Sequence, residues 1–145
     1  MSGAVRLRGR DQLLKAINKF AFNVDEAMDD AIKATAFKVQ ATATKDIAEQ
    51  TPSGNKVRRG KNRYHEVSPE GVAPNTDTGR LMGSIQVSHE KGAQLALVGT
   101  NLDYGAILET EKNRPWLEPA KEKESKFFGE EVKAAFANQI KKAGK

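Results

Sequence analysis

The sequence predicts an α+β protein: a long N-terminal helix and a C-terminal helix packed on a small antiparallel sheet, with a long basic loop. Three patterns carry this. Apolar residues recur every three or four positions from Leu13 to Ile47 without an intervening Gly or Pro. Two short runs, Ser84–Ser88 and Gln94–Val98, flank a glycine turn. A second helical stripe follows Pro119. At 145 residues the chain has the length of one domain. Its expected divisions are a basic N-terminal arm over 1–10, a single α+β domain over 11–141 with 51–79 as an inserted loop, and a polar, frayed tail over 142–145.

The first helix spans 11–50. Asp11 stands where an N-cap would, Asn23 is the one weak point for a break, and Thr51-Pro52 ends it, because the residue before proline avoids the helical region. Forty residues of unbroken helix reach about 60 Å, more than a domain of this size needs, so part of the length is expected to pack on neighbouring chains. Residues 51–79 hold three of the five prolines and show no apolar period. Within them Lys56, Arg58, Arg59, Lys61 and Arg63 put five cations in eight residues, followed by Tyr64 and His65. A long exposed loop is expected there, with a short strand near Tyr64–Val67.

Ser84-Ile85-Gln86-Val87-Ser88 alternates with period two, Glu90-Lys91-Gly92 supplies a turn, and Gln94–Val98 returns. The near-continuous apolar return strand predicts burial on both faces, one of them under the long helix. Tyr104, Ile107 and Leu108 are spaced as one helical turn. From Pro119, well suited to a first turn, one helix is expected to 141, its stripe formed by Ala120, Phe127, Phe128, Val132, Ala135, Phe136 and Ile140.

Composition excludes several classes. There is no cysteine, hence no disulfide frame, no Cys–metal site and no thiol nucleophile. No run of ~18 apolar residues is long enough to span a bilayer. Arg6, Arg8 and Arg10 precede no apolar segment of the secretory kind. The two histidines, His65 and His89, have no nearby carboxylate pattern, Ser53-Gly54-Asn55-Lys56 lacks the spacing of a phosphate loop, and no catalytic set stands out. No enzyme, metal or cofactor is therefore expected. The net charge of +5 is moderate. It permits nucleic acid or an acidic protein as partner, and the basic loop with Tyr64 is the segment that would meet either. Tyr104 and Trp116 read as core anchors or interface residues.

The order of the motifs adds a resemblance. The long helix closed by Thr51-Pro52, the turn Asp77-Thr78-Gly79-Arg80-Leu81 leading through Gly83-Ser84-Ile85, the segment Val98-Gly99-Thr100, Tyr104 with Ile107-Leu108-Glu109, and Arg114-Pro115-Trp116-Leu117-Glu118-Pro119-Ala120 together resemble the tail-completion, or head–tail joining, proteins of long-tailed bacteriophages. That family includes proteins similar to the lambda minor tail protein Z, and the resemblance covers roughly residues 10–140. The chain departs from the family pattern in having Thr110-Glu111 where a glycine usually follows Glu109. It also has Trp116 where Phe is common, and a longer segment between Pro52 and Pro74.

The resemblance implies a structural virion protein of the neck or tail top. Such a protein is built in the host cytoplasm, sits at the head–tail junction, completes the tail and joins it to the DNA-filled head. The implied partners are further copies of the chain in a ring, expected to hold six subunits, the tail terminator or tail tube, head-closure or connector proteins, and packaged DNA in the channel, with no membrane. Gly79, Leu81, Ser84, Ile85, Tyr104, Glu109, Arg114, Pro115, Trp116 and Pro119 are the residues that match the family's structural motif. A tail terminator, a head-closure protein and a basic DNA-binding protein are the alternatives.

Overall fold

A computed structural model describes residues 9–143. They form α1 (Arg10–Glu49), β1 (Lys56–Arg58), β2 (Tyr64–Glu66), α2 (Arg80–Ser84), β3 (Gln86–Glu90), β4 (Leu95–Gly99), α3 (Asp103–Thr110), α4 (Glu118–Ser125) and α5 (Phe128–Ala143). The architecture is α+β and mostly helical, with two separate antiparallel two-stranded sheets, β1–β2 and β3–β4. Arg6 and Arg8 of the expected basic arm lie outside the described residues.

α1 is one uninterrupted helix of 40 residues. Asn23 causes no break, because asparagine costs a helix only a fraction of a kcal/mol and no Gly or Pro reinforces it. Asp11 is not the N-cap: Gly9 holds that position in a left-handed conformation, and Asp11 lies in the first turn. The buried stripe consists mainly of small residues, Ala27, Ala31, Ala36 and Ala43, with Val39 and Ile47. Such a face admits other elements close to the helix axis.

α4 and α5 run antiparallel to α1. Glu124 accepts from Thr42 Oγ1 at 2.6 Å, Lys123 pairs with Asp46 at 3.5 Å, and Gln139 Nε2 donates to Asp30 at 3.4 Å. Between these contacts, Lys38 pairs with Glu131. That hydrogen bond, with the carboxylate charges of Glu131 and Glu124, holds the Lys38 ammonium above its ordinary range.

The single C-terminal helix expected over 119–141 is in fact two, parted by a turn at Lys126-Phe127. The interruption re-phases the stripe. Ala120 faces a cluster with Val39, Ala43, Ile47, Leu81, Ile85 and Trp116. Phe128, Val132, Ala135 and Phe136 instead cover Ala27 and Ala31. Phe127 and Ile140 fall outside both clusters and are exposed. Lys141–Ala143 continue α5, and residues 144–145 of the expected tail lie outside the described residues.

The β3–β4 hairpin lies along α1 but starts later than its alternation implies. Residues 80–84 form the short α2, which Gly79 enters with φ of 75°. The strands pair Gln86–Glu90 with Gly99–Leu95, and the turn occupies Lys91–Gln94. Its two ends are pinned to α1. Gln40 Nε2 donates to Ile85 O at 2.6 Å. At the other end buried Asp29 accepts from Gly92 N–H at 3.2 Å and meets His89 Nε2 at 3.0 Å, while Gln94 Nε2 donates to Asp25 at 3.3 Å.

Burial of β4 on both faces is corrected. Val87, His89, Ala96 and Val98 face α1, but Leu95 and Leu97 are 48% and 61% exposed on the opposite face. Nothing among the described residues covers that side. The same holds for the start of α1. The hairpin tip reaches Asp25 and α5 ends near it, so residues 10–22 project beyond both and every one is exposed.

Candidate functional site

The inserted segment 51–79 is more ordered than a long loop. β1 and β2 pair Lys56 with Glu66, Val57 with His65 and Arg58 with Tyr64, so the basic run forms a hairpin. Arg58 folds back on its own tip, donating to Gly60 O at 2.9 Å and Lys61 O at 3.1 Å. Lys56, Lys61 and Tyr64 are exposed.

Asp77 gathers the rest of the hairpin. Arg59 Nε lies 3.3 Å, Arg63 Nη2 3.4 Å and His65 Nδ1 3.6 Å from its carboxylate. His65 thus has a carboxylate partner, as His89 has in Asp29. Both corrections have one cause: each partner is far away in sequence and is brought close only by the fold. Among the described residues no group of three His, Cys, Asp or Glu side chains is placed to hold a metal.

Between this hairpin, the 74–82 segment and α3 lies a pocket of about 480 Å³. Its floor is apolar, formed by Ile47, Leu81, Ile107 and Leu108. Arg59, Arg80, Lys112 and Arg114 are its cationic lining, with Asp77 the one carboxylate among the described residues that line it. Tyr104, 40% exposed, stands at the wall and is not a core anchor. Arg114 is held in place by Nε donation to Ser68 O at 2.9 Å. Such a pocket suits an anionic group carried on an apolar stem. His65, beside Asp77, also lines it.

The structure therefore brings Arg59 of the basic run together with Gly79, Leu81, Tyr104 and Arg114 of the motif. The remaining motif residues build the support behind the pocket. Trp116 is buried and donates from Nε1 to Gly105 O at 3.0 Å. Glu109 accepts from the backbone N–H groups of Trp116 at 2.7 Å, Leu117 at 3.0 Å and Glu118 at 3.0 Å. It thereby caps α4 from another helix and places negative charge at that helix's positive end. Ser84 Oγ donates to Leu81 O at 2.8 Å and meets Thr100 Oγ1 at 2.5 Å, tying α2 to the end of β4. Ile85 is in the core. Pro115 and Pro119 line a smaller hollow on the Trp116 side, beside Asp46 and Glu49.

Sequence reasoning quoted Asp77 and Arg80 within the motif turn but gave no site role to them, nor to Lys112 or Gly105. A Cβ at Gly105 would lie 2.5 Å from Thr100 Cγ2 and 3.1 Å from Leu81 Cδ1, so only glycine lets α3 approach this closely. A glycine inside an otherwise helical run was the available signal. The other three are ordinary charged residues whose convergence only the fold creates. Comparison of the chain with models of known protein families, with characterised proteins and with solved structures finds no match.

Proposed function

We propose that this protein is a structural subunit of the phage neck or tail top, one copy in a ring that completes the tail and joins it to the DNA-filled head. The observation that carries an assembly role is surface. The chain exposes 10651 Å², against roughly 7,400 Å² for a compact monomer of its mass. A projecting helix, a basic hairpin and an uncovered strand face contribute to this surface, as suits a subunit completed by its neighbours. The motif order seen in the sequence directs this role to the neck, with tail-terminator or head-closure positions as variants of it.

In this reading the basic hairpin and the cationic pocket form the face toward an adjacent neck component, and that component presents acidic side chains. Changing Arg58, Arg59 and Lys61 together to Ser is expected to block joining of isolated tails to filled heads, while circular dichroism of the subunit stays unchanged. Normal joining by this variant would sink the assignment of the hairpin.

A second reading has its own observation. Arg58 and Tyr64 are cross-strand partners on the exposed hairpin, which sets a cation beside an aromatic ring. That arrangement fits DNA passing through the ring. Duplex affinity falling steeply with salt, and falling again in Tyr64→Ala, is the result expected for DNA contact. Affinity independent of salt speaks for the protein neighbour.

A further inference from the structure

We infer that the projecting start of α1 seats on the uncovered face of the β3–β4 hairpin of a second copy of this chain. The contact is heterologous, head to tail, and repeats around the ring. The inference rests on the ring proposed above and names the surfaces that close it.

The helical surface comes first. Residues 10–22 have no cover among the described residues, yet Leu13, Ile17 and Phe20 are spaced as one helical stripe and are 62%, 52% and 69% exposed. Leu14 adjoins them. Residues 10–22 prolong a helix anchored further on, but in proteins most helical stability comes from packing of an amphipathic face. A partner therefore belongs on this stripe.

The receiving surface is on the same chain but cannot serve it internally. Leu95 and Leu97 point away from α1, opposite Glu90 and Ser88 across the ladder. The projecting helix runs on past the hairpin tip and does not bend back over the outer face. Only another copy can bring the two together. The sizes are compatible, since the stripe from Leu13 to Phe20 runs about 10 Å and a five-residue strand about 13 Å. The charges agree as well. Residues 10–22 carry Arg10, Lys15 and Lys19 against Asp11, and the outward face of the hairpin carries Glu90.

Area explains why the contact closes into a ring. One side of a thirteen-residue helix about 10 Å wide offers roughly 200 Å², about a quarter of the ~800 Å² per partner of a stable interface. Each subunit gives one such contact and receives one, so closure doubles its coverage, and an open pair is weak. A second helix stripe packed against the first is the alternative occupant. It would give a two-fold dimer that leaves Leu95 and Leu97 uncovered.

The native chain lacks cysteine, so paired thiols report this contact without background. Purified full-length Phe20→Cys and Leu97→Cys proteins, mixed in equal amounts at high concentration under mild oxidant, are expected to form a covalent dimer holding one of each. Either variant alone should stay largely monomeric on a non-reducing gel. The double variant should give a ladder. Disulfide formation needs Cα atoms within about 7 Å, so the reaction is selective for contact.

Leu95→Cys should behave as Leu97→Cys does, and Glu122→Cys on α4 is the control. Efficient linking of Phe20→Cys to itself would overturn the proposal in favour of the two-fold dimer. Mixed linking no greater than to the Glu122→Cys control would overturn it outright. The neck assignment is judged separately. A chain that links 20 to 97 yet plays no part in joining tails to heads keeps this contact and loses that role.

Discussion

Glu109 shows how much one carboxylate organises here. It closes the open N-terminus of α4 with three accepted N–H groups, and α4 in turn holds Trp116 and Ala120 in the core. Glu109→Ala is expected to lower stability by ~2 kcal/mol in urea unfolding followed by the fluorescence of Trp116, the single tryptophan. Glu109→Gln, which keeps an acceptor but loses the charge, should lower it by ~1 kcal/mol. Gly105→Ala should lower it by roughly 2–3 kcal/mol, because the added methyl meets Thr100 and Leu81 together. Wild-type stability in Gly105→Ala would mean that α3 can move aside. The motif containing Glu109 and Trp116 was legible in the sequence as an order of residue types. Their contact was not, because a cap supplied by a neighbouring helix leaves no periodic trace.

At the level of elements, what was legible follows from local physics. α1 could be read because forty residues without Gly or Pro leave a helix no reason to stop, and β3–β4 because Gly92 sits between an alternating run and an apolar one. The misreadings share a tertiary origin. Leu95-Ala96-Leu97-Val98 is apolar at every position, so its composition does not say that only one face is covered. The turn at Lys126-Phe127 carries no breaker residue. It exists because Ala120 and Phe128 must face different clusters along α1. The pinning of the hairpin by Asp29 was likewise hidden, since the partners are 60 positions apart. Asp29→Ala should release the hairpin tip, with amide exchange of Gly92 through Leu95 accelerating at least about tenfold while residues of α5 stay protected. Equal acceleration in both would show that hairpin and α5 unfold as one unit.

For the whole molecule, the two clusters matter more than any single contact. Both are built on α1 between Ala27 and Ile47, and neither includes residues 10–22. A chain lacking residues 1–22 should therefore keep its fold, with a melting temperature within a few degrees of the full chain, and sediment as a monomer at every concentration. The full chain should gain mass as concentration rises. Aggregation of the shortened chain would mean that the projecting segment shields the core of its own subunit.

The unbroken course of α1 also makes the molecule a lever. Leu13 near one end is exposed, and Ile47 near the other forms part of the pocket floor. The two are about 50 Å apart on a single rod. With the fulcrum at one end, a tilt of about 5° would carry the other through roughly 4 Å over that length. Strain applied where subunits meet would then be felt at the pocket without any intervening joint.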